Sequence, residues 1–435
     1  MRLCLSLLSL FAFAVAATPN DNWPAFRGPT ADGISDSKGV ATTWSEKENV
    51  RWKTAIHGKG WSSPVVWGDQ VWVTTADEIG GTKGGDSTKT AGRDNPVQKV
   101  TFFALCIDRK TGTIAKDITL ASEDKPAFCH PFNSYASPTS AIEPGRIYAH
   151  FGSHGTWCVD TKTGEKVWER RDLKCNHFRG PASSPVIFED KIILIFDGSD
   201  QQYVVALNKA NGDTVWKMDR NIKYPGLRPN DDGDTKKAYA TAAVLDVNGK
   251  KQLVCPSAEC TMAYDPKDGA ELWRLTHGGM NGSARAVFGH GLMYLNTGHS
   301  SKLLAVKQGV AGAVPKDAIA WESNKNVPSR SSVLLVGDLL FMVNDGGMAS
   351  CVDAKTGKPH WNERLDGEFS ASPVFADGNV YFCNQIGKTF VVAAKDKYEP
   401  VAENRLDAGF MASPAVVGDT LFLRTRTHLY AIGGK

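Results

Sequence analysis

His130, His177, Arg179, Arg285 and Arg330 each stand shortly before a run of small and apolar residues, and Trp61, Asn133 and Tyr239 stand at comparable places. Guanidinium and imidazole groups gathered in one hollow bind anionic or polyhydroxy ligands through charge-assisted hydrogen bonds, and an indole beside them offers a stacking surface. Taken one at a time, such side chains are equally well explained as loop polar groups solvated or bonded to nearby carbonyls. Their meaning depends on whether the fold brings them to one mouth.

Other chemistries are not signalled by spacing. There is no Cys-x-x-Cys-His, no Gly-x-Ser-x-Gly, no His-Glu-x-x-His and no phosphate-cradling glycine loop. Cys129, His130, Cys175 and His177 lack the tight ligand spacing of a zinc site, so a disulfide between Cys129 and Cys175 is the better reading of the two thiols. Cys255 and Cys260 flank four residues and suit a bridge across a hairpin. Asp231, Asp232 and Asp234 around Gly233 lack the downstream Glu of a calcium loop and read as a solvated turn.

What must position these groups is a repeat. An Asp or Asn, a Gly four residues on and a Trp four residues beyond recur as Asp160-Gly164-Trp168, Asn208-Gly212-Trp216, Asp265-Gly269-Trp273 and Asp353-Gly357-Trp361. Asp108-Gly112 keeps the turn but has Lys116 in place of Trp. An Asp side chain that binds backbone N–H groups two residues on, followed by a Gly able to take positive φ, makes a tight turn between antiparallel strands. A Trp at one place in successive units predicts packing between units.

A second phrase opens each unit: Ser63-Pro64-Val65, Ser137-Pro138, Ser184-Pro185-Val186, Ala242-Ala243-Val244, Arg285-Ala286-Val287, Ser331-Ser332-Val333, Ser372-Pro373-Val374 and Ser413-Pro414-Ala415. Eight openings, each with a turn and further short strands over about 40 to 50 residues, predict an all-β, eight-bladed propeller. The last unit ends after three strands at Leu429-Tyr430-Ala431-Ile432, and Val50-Arg51-Trp52-Lys53 is expected to supply the fourth and close the ring. Aligned on the openings, His130 and His177 fall in one register, eight residues before Pro138 and Pro185, on the face that also carries His154, His277 and His299. The segments 76–98 and 221–237 read as long surface loops.

Arg2, an apolar run from Leu3 to Ala16 and small residues at Ala14 and Ala16 predict a signal peptide over 1–17 that is too short to span a membrane. Residues 18–48 then form an N-terminal extension and 49–435 the propeller, exported to the periplasm or beyond and, with no Cys at the cleavage point, not lipidated. A formal charge of +3 over 435 residues with no basic run leaves no footprint for nucleic acid. Among eight cysteines outside the signal, Cys106, Cys158 and Cys351 all stand two residues before a turn Asp and read as core filler.

The phrase Asp-x-Lys-Thr-Gly-x-x-x-Trp, as in Asp160 to Trp168 and Asp353 to Trp361, resembles the docking repeat of the pyrroloquinoline-quinone-like (PQQ-like) propellers, a superfamily holding quinoprotein alcohol dehydrogenases and the lipoprotein BamB. Asn22-Trp23-Pro24-Ala25-Phe26-Arg27-Gly28-Pro29 with Trp61-Ser62-Ser63-Pro64 resembles a secreted, planctomycete-type branch. The resemblance to BamB implies a monomeric, non-catalytic scaffold that takes a protein partner or small polar ligand on one face. The resemblance to the dehydrogenases implies PQQ with calcium, which is disfavoured because this chain has no adjacent Cys pair and no placeable calcium carboxylates.

Overall fold

The computed structural model describes residues 21–81, 96–225, 233–299 and 302–433. Eight antiparallel sheets stand in a ring. Blade 1 runs from Val65–Trp67 to Ile114–Asp124, blade 2 from Ala141–Glu143 to Lys166–Arg170, blade 3 from Val186–Phe188 to Thr214–Asp219, and blade 4 from Ala243–Val247 to Glu271–Thr276. Blades 5, 6 and 7 begin at Val287–Gly289, Leu334–Val336 and Val374–Ala376. Blade 8 takes Ala415–Val417, Thr420–Arg424 and His428–Ile432 from the end of the chain and Val50–Ala55 from its start, the last two pairing antiparallel from Val50↔Ile432 to Ala55↔His428. Ring closure by the first strand therefore holds as the sequence predicts.

The turns form for the reason their residues suggest. Asp160 Oδ1 accepts from the backbone N–H of Lys162 and Thr163 (both 2.9 Å), and Gly164, at φ +82°, donates back to the Asp160 carbonyl. Those backbone donors hold the Asp160 carboxyl below the usual range. Beyond the turn the outer strand buries little except its Trp: in Lys166–Arg170 only Trp168 is buried. The Trp168 ring lies on the turn of blade 3, where a Cβ on Gly212 would come within 2.8 Å of it, and its Nε1–H donates to the Lys209 carbonyl at 3.0 Å. Trp52 sits likewise on Gly112, Trp216 on Gly269 and Trp321 on Gly357, and the Nε1–H of Trp361 reaches the Lys395 carbonyl. Hydrophobic clusters accordingly straddle neighbouring blades.

Two units depart from this scheme. Blade 5 has no Asp-Gly turn for Trp273 to cover, so Trp273 donates to Gln252 Oε1 in its own blade at 2.8 Å. The connection that replaces the turn lays Gly312–Ala313 in parallel along the Trp273 strand as a fifth strand. The segment 76–98 is less of a loop than its composition suggests: strands Gln70–Gly80 and Val97–Asp108 carry the hairpin outward, and 82–95 lies outside the described residues.

Residues 22–48 do not trail. Trp23 exchanges two backbone bonds with Val66 in blade 1, and the Ile142 N–H of blade 2 donates to the Pro24 carbonyl, all at 2.8 Å. The chain then reaches Val333 through Arg27 and Phe375 through Gly33 and Ser35, in blades 6 and 7. It thus crosses the end of the axis remote from the funnel described below and acts as a plug. Gly28, at φ +85°, is needed because a Cβ there would strike the Trp23 ring at 2.8 Å.

Candidate functional site

The inner strands are only three to five residues long, and their first residues converge on the axis. The residue two before each inner strand ties its blade to the next. Ser63 N–H donates to Thr139 Oγ1, Thr139 to Ser184 Oγ and Ser184 to Thr241 Oγ1, at 2.9–3.0 Å. The Arg285 N–H donates to Ser332 Oγ, Ser332 to Ser372 Oγ, Ser372 to Ser413 Oγ and Ser413 back to Ser63 Oγ, at 2.9–3.0 Å. Seven of the eight junctions are closed by a side-chain hydroxyl; the missing one follows Thr241, where blade 5 presents Arg285 instead of Ser or Thr.

This collar corrects the sequence alignment. Blade 2 opens with Thr139-Ser140, two residues after Ser137-Pro138, and blades 4 and 6 open with Thr241-Ala242 and Ser332-Val333, one residue off the predicted phrases. His130 and His177 consequently do not share a register. His130 lines the funnel, whereas His177 lies behind it: its Nε2 accepts from the Ser153 N–H at 2.9 Å, its ring stacks on Phe196, and burial pushes its pKa down to about 3.

Above the collar opens a funnel of about 360 Å³ whose walls include Trp61, His130, Phe132, Asn133, Arg179 and Tyr239. Asn281, Ser283, His299, Arg330, Ser370 and Met411 complete most of the remaining wall. Below it the collar surrounds a neck of about 140 Å³, and Phe26 of the plug forms part of its lining. Five of the eight site residues expected at the mouth (Trp61, His130, Arg179, Tyr239 and Arg330) face the funnel with groups a ligand can use, while Asn133, His177 and Arg285 serve elsewhere. Asn133 is spent on the scaffold: its Nδ2 donates to the carbonyls of Arg179 and Pro181, and its Oδ1 accepts from Ser137. Arg285 is not at the mouth but at collar depth, buried, with its Nη1 on the Phe26 carbonyl at 3.2 Å. Phe132, Ser283, Ser370 and Met411 were missed, and their connections carry no repeated phrase that would have singled them out.

The electrostatics of the funnel are one-sided. Arg330 places its guanidinium 4.4 Å from the centre of the Phe132 ring, with Nε 3.4 Å from Asp345 and a buried Nη1 that meets no acceptor. Arg179 lies 3.5 Å from Asp234, which also pairs with Lys237. Lys59 and Arg426 flank the Trp61 indole at 5.6 and 6.0 Å. His299 is pushed below the usual imidazole range by desolvation first and by Arg330 and Arg179 after it, against the pull of Asp345. Tyr239, whose hydroxyl donates to the His177 carbonyl, is held neutral by burial. Among the described residues no Asp or Glu lines the funnel. Tyr135, Phe369 and Phe410, on the connections that enter the inner strands, are buried in the blade cores.

The thiols do not pair: all eight cysteines among the described residues are free. Cys129 Sγ lies under Gly180, near the Arg179 carbonyl, while Cys175 Sγ lies against Ser153 and His177, so the two belong to different packing layers. Cys255 stands opposite Met262 in the sheet rather than opposite Cys260, which leaves those thiols diagonal to each other. Asp231 and Asp232 of the acidic turn lie outside the described residues, and Asp234 is the partner of Arg179 and Lys237.

A closed eight-bladed propeller with a cationic axial funnel, plugged at its far end, is the class these features define. The chain belongs to the family described as outer membrane protein assembly factor BamB, which matches residues 104–219 and 259–432. Its fold is similar to that of BamB from Moraxella catarrhalis, with a TM-score of 0.52 at 13% identity over 76% of this chain and 94% of that one. It is also similar to the quinohemoprotein alcohol dehydrogenase of Comamonas testosteroni, with a TM-score of 0.63 at 10% identity over 96% and 82%. The tetrathionate hydrolase of Acidithiobacillus ferrooxidans is 24% identical over 267 residues, or 59% of this chain and 50% of that protein. The chain thus spans about half the length of this curated relative.

A quinone held with calcium does not fit the donor set. Calcium takes six to eight oxygen ligands, carboxylates foremost. Here Asp234 and Asp345, the acids nearest the funnel's cations, are committed to Arg179, Lys237 and Arg330, and no group of three His, Cys, Asp or Glu among the described residues is placed to hold a metal. No helix among the described residues is long and apolar enough to cross a membrane.

Proposed function

We propose that this chain is an exported, non-catalytic binding propeller whose axial funnel receives an anionic group of a small polar ligand or of a protein partner. The observation that carries the reading is the pairing of Arg179 and Arg330 with aromatic walls in a hollow that no carboxylate among the described residues lines. Low dielectric at such a place strengthens charge-assisted hydrogen bonds to an incoming oxyanion. Membership of the BamB family supports a scaffold role, and the name of the tetrathionate hydrolase points to a dianion at a related propeller. Export rests on the apolar run Leu3–Ala16 behind Arg2.

The second reading, a PQQ-dependent alcohol or sugar oxidoreductase, draws on the same arginines, since the quinone is itself a flat polycarboxylate, and on the likeness to the dehydrogenase fold. A thermal-shift titration of the mature protein with PQQ, with and without calcium, separates the two. The binding reading expects a saturable rise that is indifferent to calcium, is lost in Arg330→Ala and brings no dye reduction with alcohols or sugars. A rise that requires calcium, or substrate-dependent dye reduction, overturns it in favour of the enzyme; no rise at millimolar quinone overturns the anionic-ligand reading itself.

A further inference from the structure

The neck below the funnel has chemistry that the mouth does not explain. Each collar hydroxyl accepts a backbone N–H from the neighbouring blade, and among the described residues none of these O–H groups donates to a protein acceptor. A hydroxyl already accepting a hydrogen bond is a polarised, better donor. Ser63, Thr139, Ser184, Thr241, Ser372 and Ser413 all line the neck, so the collar turns a ring of donors on that small space.

The one position of the ring without a hydroxyl holds Arg285, which is 6% exposed. Its Nη1 ends on the Phe26 carbonyl and its Nε has no acceptor. Beside it, Arg27 of the plug is 1% exposed and reaches only backbone carbonyls, those of Asp32, Val333 and Pro373. No carboxylate forms an ion pair with either guanidinium among the described residues, although twenty-four ion pairs are made elsewhere. Burial lowers both pKa values, Arg27 to about 10 and Arg285 to about 9 with a further push from Arg27, yet both side chains stay charged at neutral pH. Asp32 pulls both values back up without forming an ion pair with either guanidinium, so two buried positive charges share one nearby acid, an arrangement that a further negative charge would stabilise.

We propose that the neck is an anion site at the foot of the funnel, in which a compact oxyanion of the carboxylate, sulfate or sulfonate kind sits inside the hydroxyl collar, with Arg330 in the same wall and Arg285 behind the Phe26 lining. At about 140 Å³ the neck takes a group of a few heavy atoms, well short of the ~300–1,000 Å³ of an ordinary ligand pocket. The Arg330 guanidinium together with several O–H donors matches paired oxygens better than a single spherical ion. The plug is part of the site, because it contributes the Phe26 lining and the Arg27 charge. The oxyanion is either a free inorganic or organic acid or the acidic end of a longer ligand reaching down from the funnel.

The test is a melting-temperature titration of the mature protein with sodium sulfate and with sodium acetate, chloride being exchanged to keep ionic strength constant. The expected result is a saturable rise with at least one of them, whose midpoint moves up by about tenfold or more in Arg285→Met, from the loss of a buried positive charge behind the Phe26 lining, and by a few-fold in Ser372→Ala, from the loss of one neutral hydrogen bond. Saturation by either salt assigns a free anion. Saturation by PQQ alone, weakened in both Arg285→Met and Arg330→Ala, assigns the acidic end of a funnel ligand. Because Arg330 lines both the funnel and the neck whereas Arg179 lines the funnel alone, a sulfate midpoint unmoved in Arg179→Ala and raised in Ser372→Ala and Ser413→Ala separates this site from the funnel reading. A rise that tracks salt concentration without saturating, or midpoints unchanged in Arg285→Met, overturns the proposal; if that variant does not fold, unchanged midpoints in Ser372→Ala and Ser413→Ala do the same.

Discussion

The rim and the axis of this propeller each repeat one device around the ring, and each breaks it. At the rim the device is a Trp laid on the next blade's turn glycine, and where it fails the packing is made good. A Cβ on Gly164 would meet Ile118 and the stem of Lys116 at 3.3–3.4 Å instead of an indole, and Trp273 is covered by a parallel strand instead of capping a turn. At the axis the device is a hydroxyl that accepts a neighbour's N–H. Where that fails, at Arg285, the replacement is a buried charge that no carboxylate among the described residues pairs. Arg220, by contrast, is equally buried but bonded to Asp197. Exceptions that restore apolar contact are repairs of structure; an exception that adds an unpaired charge at a concave, converging point is the mark of a site.

Sharpening this contrast begins with the rim. Trp216→Ala, which empties the space over Gly269, is expected to cost about 3–5 kcal/mol in urea unfolding. Next, Gly212→Val forces a β-branched residue to φ +80° and into the Trp168 ring at 2.8 Å, for about 2–4 kcal/mol, whereas Gly164→Ala in the repaired blade costs only about 1 kcal/mol, mostly backbone strain. Equal costs at Gly212 and Gly164 would break the claim that the drifted rim is relaxed. The last effect is read in pH and concerns the layer between rim and axis. His150 and His177 have folded pKa values of about 3, set by burial, against ordinary values near 6.5. The native state therefore refuses protons that the unfolded chain takes, so their contribution is present above about pH 6.5 and is lost as pH falls toward about 3. The melting temperature should decline through that window, with a shallower slope in His150→Gln.

How much of this the sequence displayed depended on how literally each device is spelled. The rim was legible because a tight turn demands Asp or Asn and then Gly, and a large ring is rarely anything but Trp. The closing strand Val50–Ala55 was legible from its own Trp52 and from the missing strand at the other end. The collar was not, because any small hydroxyl serves there: Thr139-Ser140, Thr241-Ala242 and Ser332-Val333 do not spell Ser-Pro. Aligning on Ser-Pro shifted blade 2 by two residues, which paired His130 with His177; Arg285 stood in the right register, but register does not tell that its side chain turns to the Phe26 carbonyl instead of the mouth. The plug was visible as an unusual string from Asn22 to Pro29, but nothing in a period tells a segment before the first blade where to land. Cys129 and Cys175 matched in chain position alone; which packing layer each thiol joins is decided by side-chain direction, to which spacing is blind.

The most direct test of the claim that the axis breaks its repeat to bind, and the rim to pack, is an anomalous difference map from crystals of the mature protein soaked in selenate. A selenium peak in the neck, within hydrogen-bonding reach of the Ser372 and Ser413 hydroxyls, is the predicted result. Peaks confined to the outer surface, with ordered water alone between the collar and Phe26, would contradict it.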